Sequence, residues 1–297
     1  MASLYHYTSG KALLGILQSH YFWATDIRFL NDYEELNRGL DIFERFTKDL
    51  LKDIPCDREH LSELVKICVG NIRRNSKLTL INLVSFSTES DNLRQWMAYC
   101  NSVGGYCIEF DEALIIPNSL DEYKNCLRLS EVEYLDSGLP SYSSSIYKFG
   151  ELIKDLTLAE DKQTSEALLI ESFALKVNKL FLDSMLLASS IKPSEFSDER
   201  EVRLLYIGKS KENETISEGT DLSNLYAKPN LPEVGFREVN DFLVPYQPLP
   251  FNIEAVKKVI IGPSSNMELA ELGLKEFRDR NNLQFDVVHS KCTLRRL

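Results

Sequence analysis

The chain has little of what most catalytic and binding signatures are built from. It holds four histidines and two tryptophans in 297 residues. Its six cysteines, Cys56, Cys68, Cys100, Cys107, Cys126 and Cys292, form no C-x-x-C pair. Scattered thiols beside so few histidines give no zinc-ligand spacing, so no metal site is expected. Reduced thiols of a cytoplasmic protein are the simplest account. No apolar run reaches the roughly 18 residues that a membrane span needs, so no membrane partner is expected. A signal-peptide pattern is missing too, and the N-terminus reads as structure from its third residue. Without G-x-x-x-x-G-K-S/T or a G-x-G-x-x-G after a strand, a P-loop ATPase or Rossmann enzyme is excluded. Without G-x-S-x-G or H-E-x-x-H, so are an α/β-hydrolase and a zincin. Positive charge is short in bulk: the net charge is -11 and the pI about 5.0. That argues against broad attraction to nucleic acid or anionic membranes, while leaving a local basic groove open.

What is present is an ordinary globular composition, 43% hydrophobic and 27% charged, long enough to bury a large core without metals or disulfides. Leu4–Thr8 and Tyr21–Thr25 read as strands, with a helix between them capped by Ser9 and striped by Leu13, Leu14, Ile16 and Leu17. Helical spacing recurs from Leu36 to Leu50 and from Leu61 to Ile72. Residues 78–87 form a further strand, Asp91 opens a short helix through Trp96 and Tyr99, and Gly104-Gly105 is a turn before a strand at Tyr106–Phe110. Another strand is expected at Leu127–Tyr134. Residues 137–150 read as a loop and about 151–189 as helix. A strand over Arg200–Ile207 and an exposed loop at 209–234 follow. Strands at Phe242–Tyr246, Val256–Ile261 and Gln284–Val288 and a helix at Met267–Arg280 complete the chain. No linker composition divides it. One α+β domain spanning 1–297 is expected, with 137–190 as a helical insertion.

Polar signature residues gather in three of these segments. The first is His6-Tyr7-Thr8. A strand imidazole either bonds backbone as a packed side chain or holds a sugar hydroxyl with one nitrogen. The second is Ser85-Phe86-Ser87-Thr88, which alternation divides into two serines on one face and Phe86 on the other. Hydroxyls there either end the strand or bind a ligand. Trp96, just beyond, is either core or a stacking surface for a base. The third is the run from Phe196 to Arg203. A strand beginning near Glu199 puts Glu199, Glu201 and Arg203 on one face and Arg200, Val202 and Leu204 on the other. That face is either a salt-bridged edge or a carboxylate poised beside a reacting sugar, where it stabilises an oxocarbenium ion.

The strings Leu-Tyr-His-Tyr-Thr-Ser, Phe-Leu-Asn-Asp, Ser-Phe-Ser, Gly-Tyr-Cys-Ile-Glu-Phe, Glu-Arg-Glu-Val-Arg-Leu and Ile-Ile-Gly-Pro together resemble a widespread bacterial domain family of unknown function. Its members are often linked to phage-defence loci. More distantly, the three clusters are similar to the three motifs of the ADP-ribosyltransferase fold, including the DarT-like toxins. The resemblance implies a mixed central sheet of that type and NAD as substrate. It also implies that His6 and Glu201 are catalytic and that Tyr7, Thr8, Ser85, Ser87, Trp96, Glu199 and Arg203 line the NAD site. Arg28, just after the second strand, is placed to reach the diphosphate or the acceptor. Phe86 departs from the motif, where a threonine is usual.

The implied chemistry is glycosyl transfer. Glu201 stabilises positive charge as nicotinamide leaves, and a nucleic-acid or protein acceptor attacks C1 of the ribose. Arg203 keeps Glu201 ionised. The implied biology is a toxin or effector of bacterial phage defence, with an antitoxin or phage protein as a further partner. Two other readings stand beside it. One is a catalytically inactive binding or sensor module using the same cleft. The other is a nuclease built on Asp198, Glu199 and Glu201.

Overall fold

The structure is a computed structural model that describes residues 2–30, 79–100, 104–116, 127–134, 189–209, 231–239, 241–264 and 266–292, with Asn37, Asp41, Arg45 and Leu186 as isolated helical positions. The expected helices at 36–50, 61–72 and 151–189 lie essentially outside the described residues. So do almost all of the 137–190 insertion and the 209–234 loop.

Strand β1 (Ser3–Thr8) leads into helix α1 (Gly10–Ser19), and the side chain of Ser9 caps it by accepting from the Ala12 N–H. Strand β2 (Tyr21–Asp26) closes this first unit, and a 3-10 turn at Ile27–Phe29 follows. Next come β3 (Thr79–Ser87), α2 (Leu93–Tyr99) and β4 (Tyr106–Asp111). Asn92, not Asp91, caps α2: its side chain accepts from the Arg94 N–H. The expected strand at 127–134 breaks at Val132 into β5 (Leu127–Glu131) and β6 (Glu133–Tyr134). A short strand that sequence did not anticipate, β7 (Ile191–Lys192), pairs with β6 in parallel. After a 3-10 turn at Ser194–Glu199 comes β8 (Glu201–Lys209). The chain ends on β9 (Gly235–Val239), β10 (Phe242–Pro250), β11 (Val256–Ile261), α3 (Met267–Arg280) and β12 (Asp286–His289).

Ten strands form one mixed sheet in the order β12-β11-β4-β1-β3-β2-β10-β9, with β8 on β3 and β5 on β8. The protein is a mixed α/β fold dominated by this sheet. Its centre is a fork. One edge of β3 pairs with β8 along its whole length, from Thr79↔Lys209 to Ser87↔Glu201. The other edge is shared. Asn82 and Leu83 pair with Asp26 and Thr25 of β2, while Ser87 pairs with Tyr5 of β1. Residues 84–86 lie between the two branches.

Alternation sorts the sheet chemically. Leu4, Val84, Phe86, Ile108, Phe110, Val202, Leu204, Val259 and Ile261 join Phe22, Leu249 and the buried face of α1 in the main core. Four phenylalanines, Phe22, Phe86, Phe110 and Phe251, contact one another ring to ring there. Burying such rings is the largest favourable term available to the fold. On the opposite side of β1 and β4, Tyr7, Trp96, Cys100, Cys107 and Ile260 form a smaller cluster.

Candidate functional site

The polar residues that sequence singled out do not behave alike. Glu201 opens β8, and Arg203 follows it on the same face, as alternation requires. Arg203 Nε donates to Glu201 Oε1 at 2.9 Å and Nη2 to Oε2 at 3.0 Å. A third donor, Lys192 Nζ from β7, reaches Oε2 at 3.0 Å. The same ammonium donates to Glu199 Oε2 at 2.6 Å and lies 5.0 Å from the centre of the Phe196 ring. All three of Lys192, Glu201 and Arg203 are buried. Two cations and two carboxylates therefore form one bonded cluster. An ion buried without such partners would cost several kcal/mol, on the order of that of a broken buried pair.

Burial alone would drive the Glu201 carboxyl upward. Arg203 and Lys192 outweigh it, Ser85 adds a hydrogen bond, and the group is lowered from 4.5 to about 2. Glu201 is thus ionised at neutral pH and too weak a base to take up a proton. It can act as a fixed negative charge or as a hydrogen-bond acceptor.

Glu199 departs from the expected position. It does not lie on the strand but ends the 3-10 turn, and Arg200 stands between it and Glu201 at φ 42° and ψ 54°. That left-handed conformation is unfavourable for a side chain larger than glycine. Two backbone bonds hold it: Arg200 N–H donates to Ser197 O at 3.2 Å, and Arg200 O accepts from Thr88 N–H at 3.0 Å. The kink, not strand alternation, turns both carboxylates to Lys192. The backbone oxygen of Glu199 also accepts from Ser87 Oγ at 2.8 Å and from Gln95 Nε2 at 3.3 Å. Tyr99 OH donates to Glu199 Oε1 at 3.3 Å.

His6 approaches β3 from the β1 branch of the fork, and on the other face of the sheet: it packs with Phe86, whereas Ser85, Ser87, Glu201 and Arg203 alternate onto the opposite face. Strand register alternates it with Tyr5 and Tyr7, so its ring packs at 5.8 Å from Phe86 and 6.5 Å from Phe22. Its Nδ1 lies 2.9 Å from Ser85 O, a carbonyl in the stretch of β3 between the branches. A carbonyl can only accept, so Nδ1 carries the proton and the neutral ring offers Nε2 as an acceptor. Burial lowers the imidazole below its ordinary range, against the pull of the Ser85 bond, and the Arg237 charge lowers it further. Ser85 thus links the two halves: its carbonyl accepts from His6, and its hydroxyl supports Glu201. His6 and Glu201 do not bond each other.

Residues 95–204 match the family model described as a protein of unknown function, DUF2971. The match runs from Gln95 through Tyr99, Lys192 and Glu199 to Arg203 and leaves out His6 and the serines. No curated protein and no solved structure matches the chain.

Four predicted residues stand elsewhere. Trp96 is core: it is buried, its Nε1 donates to Asp91 Oδ1 at 2.7 Å, and Tyr7 packs edge-on at 4.8 Å. It presents no face to a base. Tyr7 OH donates to Glu89 O at 2.8 Å and accepts from Asn92 N–H at 2.9 Å, which fixes the loop after β3. Thr8 is buried opposite Tyr106, and its carbonyl accepts from Cys100 Sγ at 3.7 Å. Arg28 clamps Asp26 within its own turn, through Nε at 2.9 and 3.1 Å and Nη2 at 2.5 Å. Among the described residues no three of His, Cys, Asp and Glu are grouped to hold a metal. Between Glu199 and Glu201, Lys192 occupies the place a cation would need. No helix among them is long and apolar enough to cross a membrane.

Sequence reasoning missed Lys192, Ser189, Tyr134 and Tyr99. Arg203 Nη1 donates to Ser189 O at 2.6 Å, and Tyr134 OH accepts from Glu201 N–H at 2.7 Å. Burial pushes the Tyr134 phenol up to about 12.

Proposed function

We propose that the chain is an ADP-ribosyltransferase-like protein that binds NAD at the fork of its sheet, with Glu201 as the charge that stabilises the ribosyl cation. The observation that carries this reading is the adjacency of the three polar clusters. They lie on β1, β3 and β8, which are neighbours in the sheet, and Ser85 touches both His6 and Glu201. An ionised carboxylate with no useful basicity suits electrostatic stabilisation better than proton abstraction. The acceptor Nε2 of His6 suits a ribose hydroxyl. The nicotinamide ribose would lie with C1 beside Glu201, the C1–N bond would break with its electron pair leaving on nicotinamide, and an acceptor nucleophile would bond to C1. That acceptor is a nucleic acid or a protein, consistent with an effector of bacterial phage defence.

A second reading is favoured by the saturation of Glu201. A carboxylate offers about four acceptor positions, and Arg203 twice, Lys192 and Ser85 already address them. A binding or sensor module without turnover would look the same. Labelled NAD with cell lysate separates the two. The transferase yields labelled product and free nicotinamide, both lost in Glu201→Gln. Tight NAD binding with no product above that variant overturns the transferase and leaves the sensor.

A further inference from the structure

Arg237 differs from six other described arginines. Arg28, Arg94, Arg200, Arg203, Arg278 and Arg280 each bond a carboxylate. Arg237 bonds none among the described residues. It lies on β9 opposite Val244, and its Nη2 donates to Thr25 Oγ1 at 2.7 Å. Its Nε is buried with no hydrogen-bond partner. Buried donors are nearly always satisfied, and a guanidinium more so, because its charge must be offset as well. Burial pulls its pKa below the ordinary value, and the Tyr246 phenol is what opposes that. Beside it Trp23 stacks on Tyr246, with ring centres 5.2 Å apart and planes 29° apart, and the guanidinium lies 6.0 Å from the Trp23 ring.

These residues border the fork. Thr25 pairs with Leu83 on the β2 branch, and His6 is close enough to feel the Arg237 charge. An anion with two oxygens would satisfy the guanidinium edge, as phosphate and carboxylate both do. The flat Trp23–Tyr246 pair and the acceptor Nε2 of His6 favour a ligand that also carries a ring and a sugar hydroxyl. We propose that Arg237, with Thr25, is the anion subsite of the fork and takes the diphosphate of a nucleotide whose ribose hydroxyl meets His6. This rests on the fork being a nucleotide site but not on turnover there.

The test is calorimetric titration of the full chain with ADP, which has the diphosphate and no nicotinamide to lose, and with adenosine. ADP is expected to bind the wild type, and Arg237→Gln to weaken it by about tenfold or more, the scale of one charge-assisted bond. Adenosine affinity should be the same in both proteins. Arg237→Lys keeps the charge without the fork of donors and should fall between them, which covers a Gln variant that circular dichroism shows to be unfolded. No ADP binding, or equal ADP binding by wild type and Arg237→Gln, overturns the subsite. If NAD is nevertheless cleaved in a Glu201-dependent way, the transferase reading survives that result. If ADP binds through Arg237 and NAD is not cleaved, the subsite stands and the transferase reading falls.

Discussion

Replacing Glu201 with glutamine should change how stability depends on pH in a defined window. The folded carboxyl is lowered from 4.5 to about 2, a difference worth roughly 3 kcal/mol. Because the folded value is depressed, that stabilisation is fully present above about pH 4.5. It is lost as pH falls through about 2, at about 1.4 kcal/mol per pH unit in between. Glu201→Gln removes this dependence and takes one carboxylate from two buried cations, Lys192 keeping Glu199. At pH 7 the variant should be less stable by about 3–5 kcal/mol, the cost of breaking a buried pair. The gap should then narrow steadily below pH 4.5 as the wild type loses its own pair. Urea denaturation followed by circular dichroism at pH 7, 5.5, 4 and 3 measures the gap directly, and contributions from other carboxylates cancel in the difference. A gap that stays constant from pH 7 to 3 would refute the claim that Arg203 and Lys192 hold Glu201 ionised.

Arg203→Met should destabilise by about 3–5 kcal/mol in the same assay, since it removes two of the donors that hold the buried Glu201 charge. Asp91→Ala should cost about 2 kcal/mol. Its carboxylate accepts from Trp96 Nε1, from Ser290 Oγ at 2.5 Å and from Lys291 N–H at 2.7 Å, which ties α2 to the strand end after β12. Thermal melts should show that loss with little change in near-ultraviolet tyrosine signal around Tyr134. Gly105→Ala should cost about 1–3 kcal/mol by overpacking, because an added Cβ would run into the side chain of Cys100 and approach Thr8 O at 3.1 Å. Equal urea midpoints for the alanine variant and the wild type would contradict that.

Much of the frame is legible in the sequence because local rules govern it. Ser9 caps α1, alternation builds β3 and β8, and apolar spacing sets α3, all without reference to distant residues. What failed was what depends on tertiary partners. The sequence pattern puts Arg200 in the strand, but its left-handed backbone is fixed by bonds to Ser197 and Thr88, one of them on another element. Trp96 and Tyr7 carry the side chains of a nucleotide site, yet packing between α2 and β1 claims both. Lys192 was invisible because a lone lysine after an apolar run carries no pattern; only the pairing of β6 with β7 brings it to Glu199 and Glu201. Arg237 was lost for a similar reason. β10 is expected over Phe242–Tyr246, but its partner β9, where Arg237 lies, is not anticipated from the sequence.

The most direct test of the account is the position of NAD on the Glu201→Gln protein, determined crystallographically so that the ligand is not consumed. The account predicts NAD at the fork, with C1 of the nicotinamide ribose facing residue 201, the diphosphate toward Arg237 and a ribose hydroxyl on His6 Nε2. NAD bound away from β1, β3 and β8, or a fork left empty at saturating NAD, would contradict it.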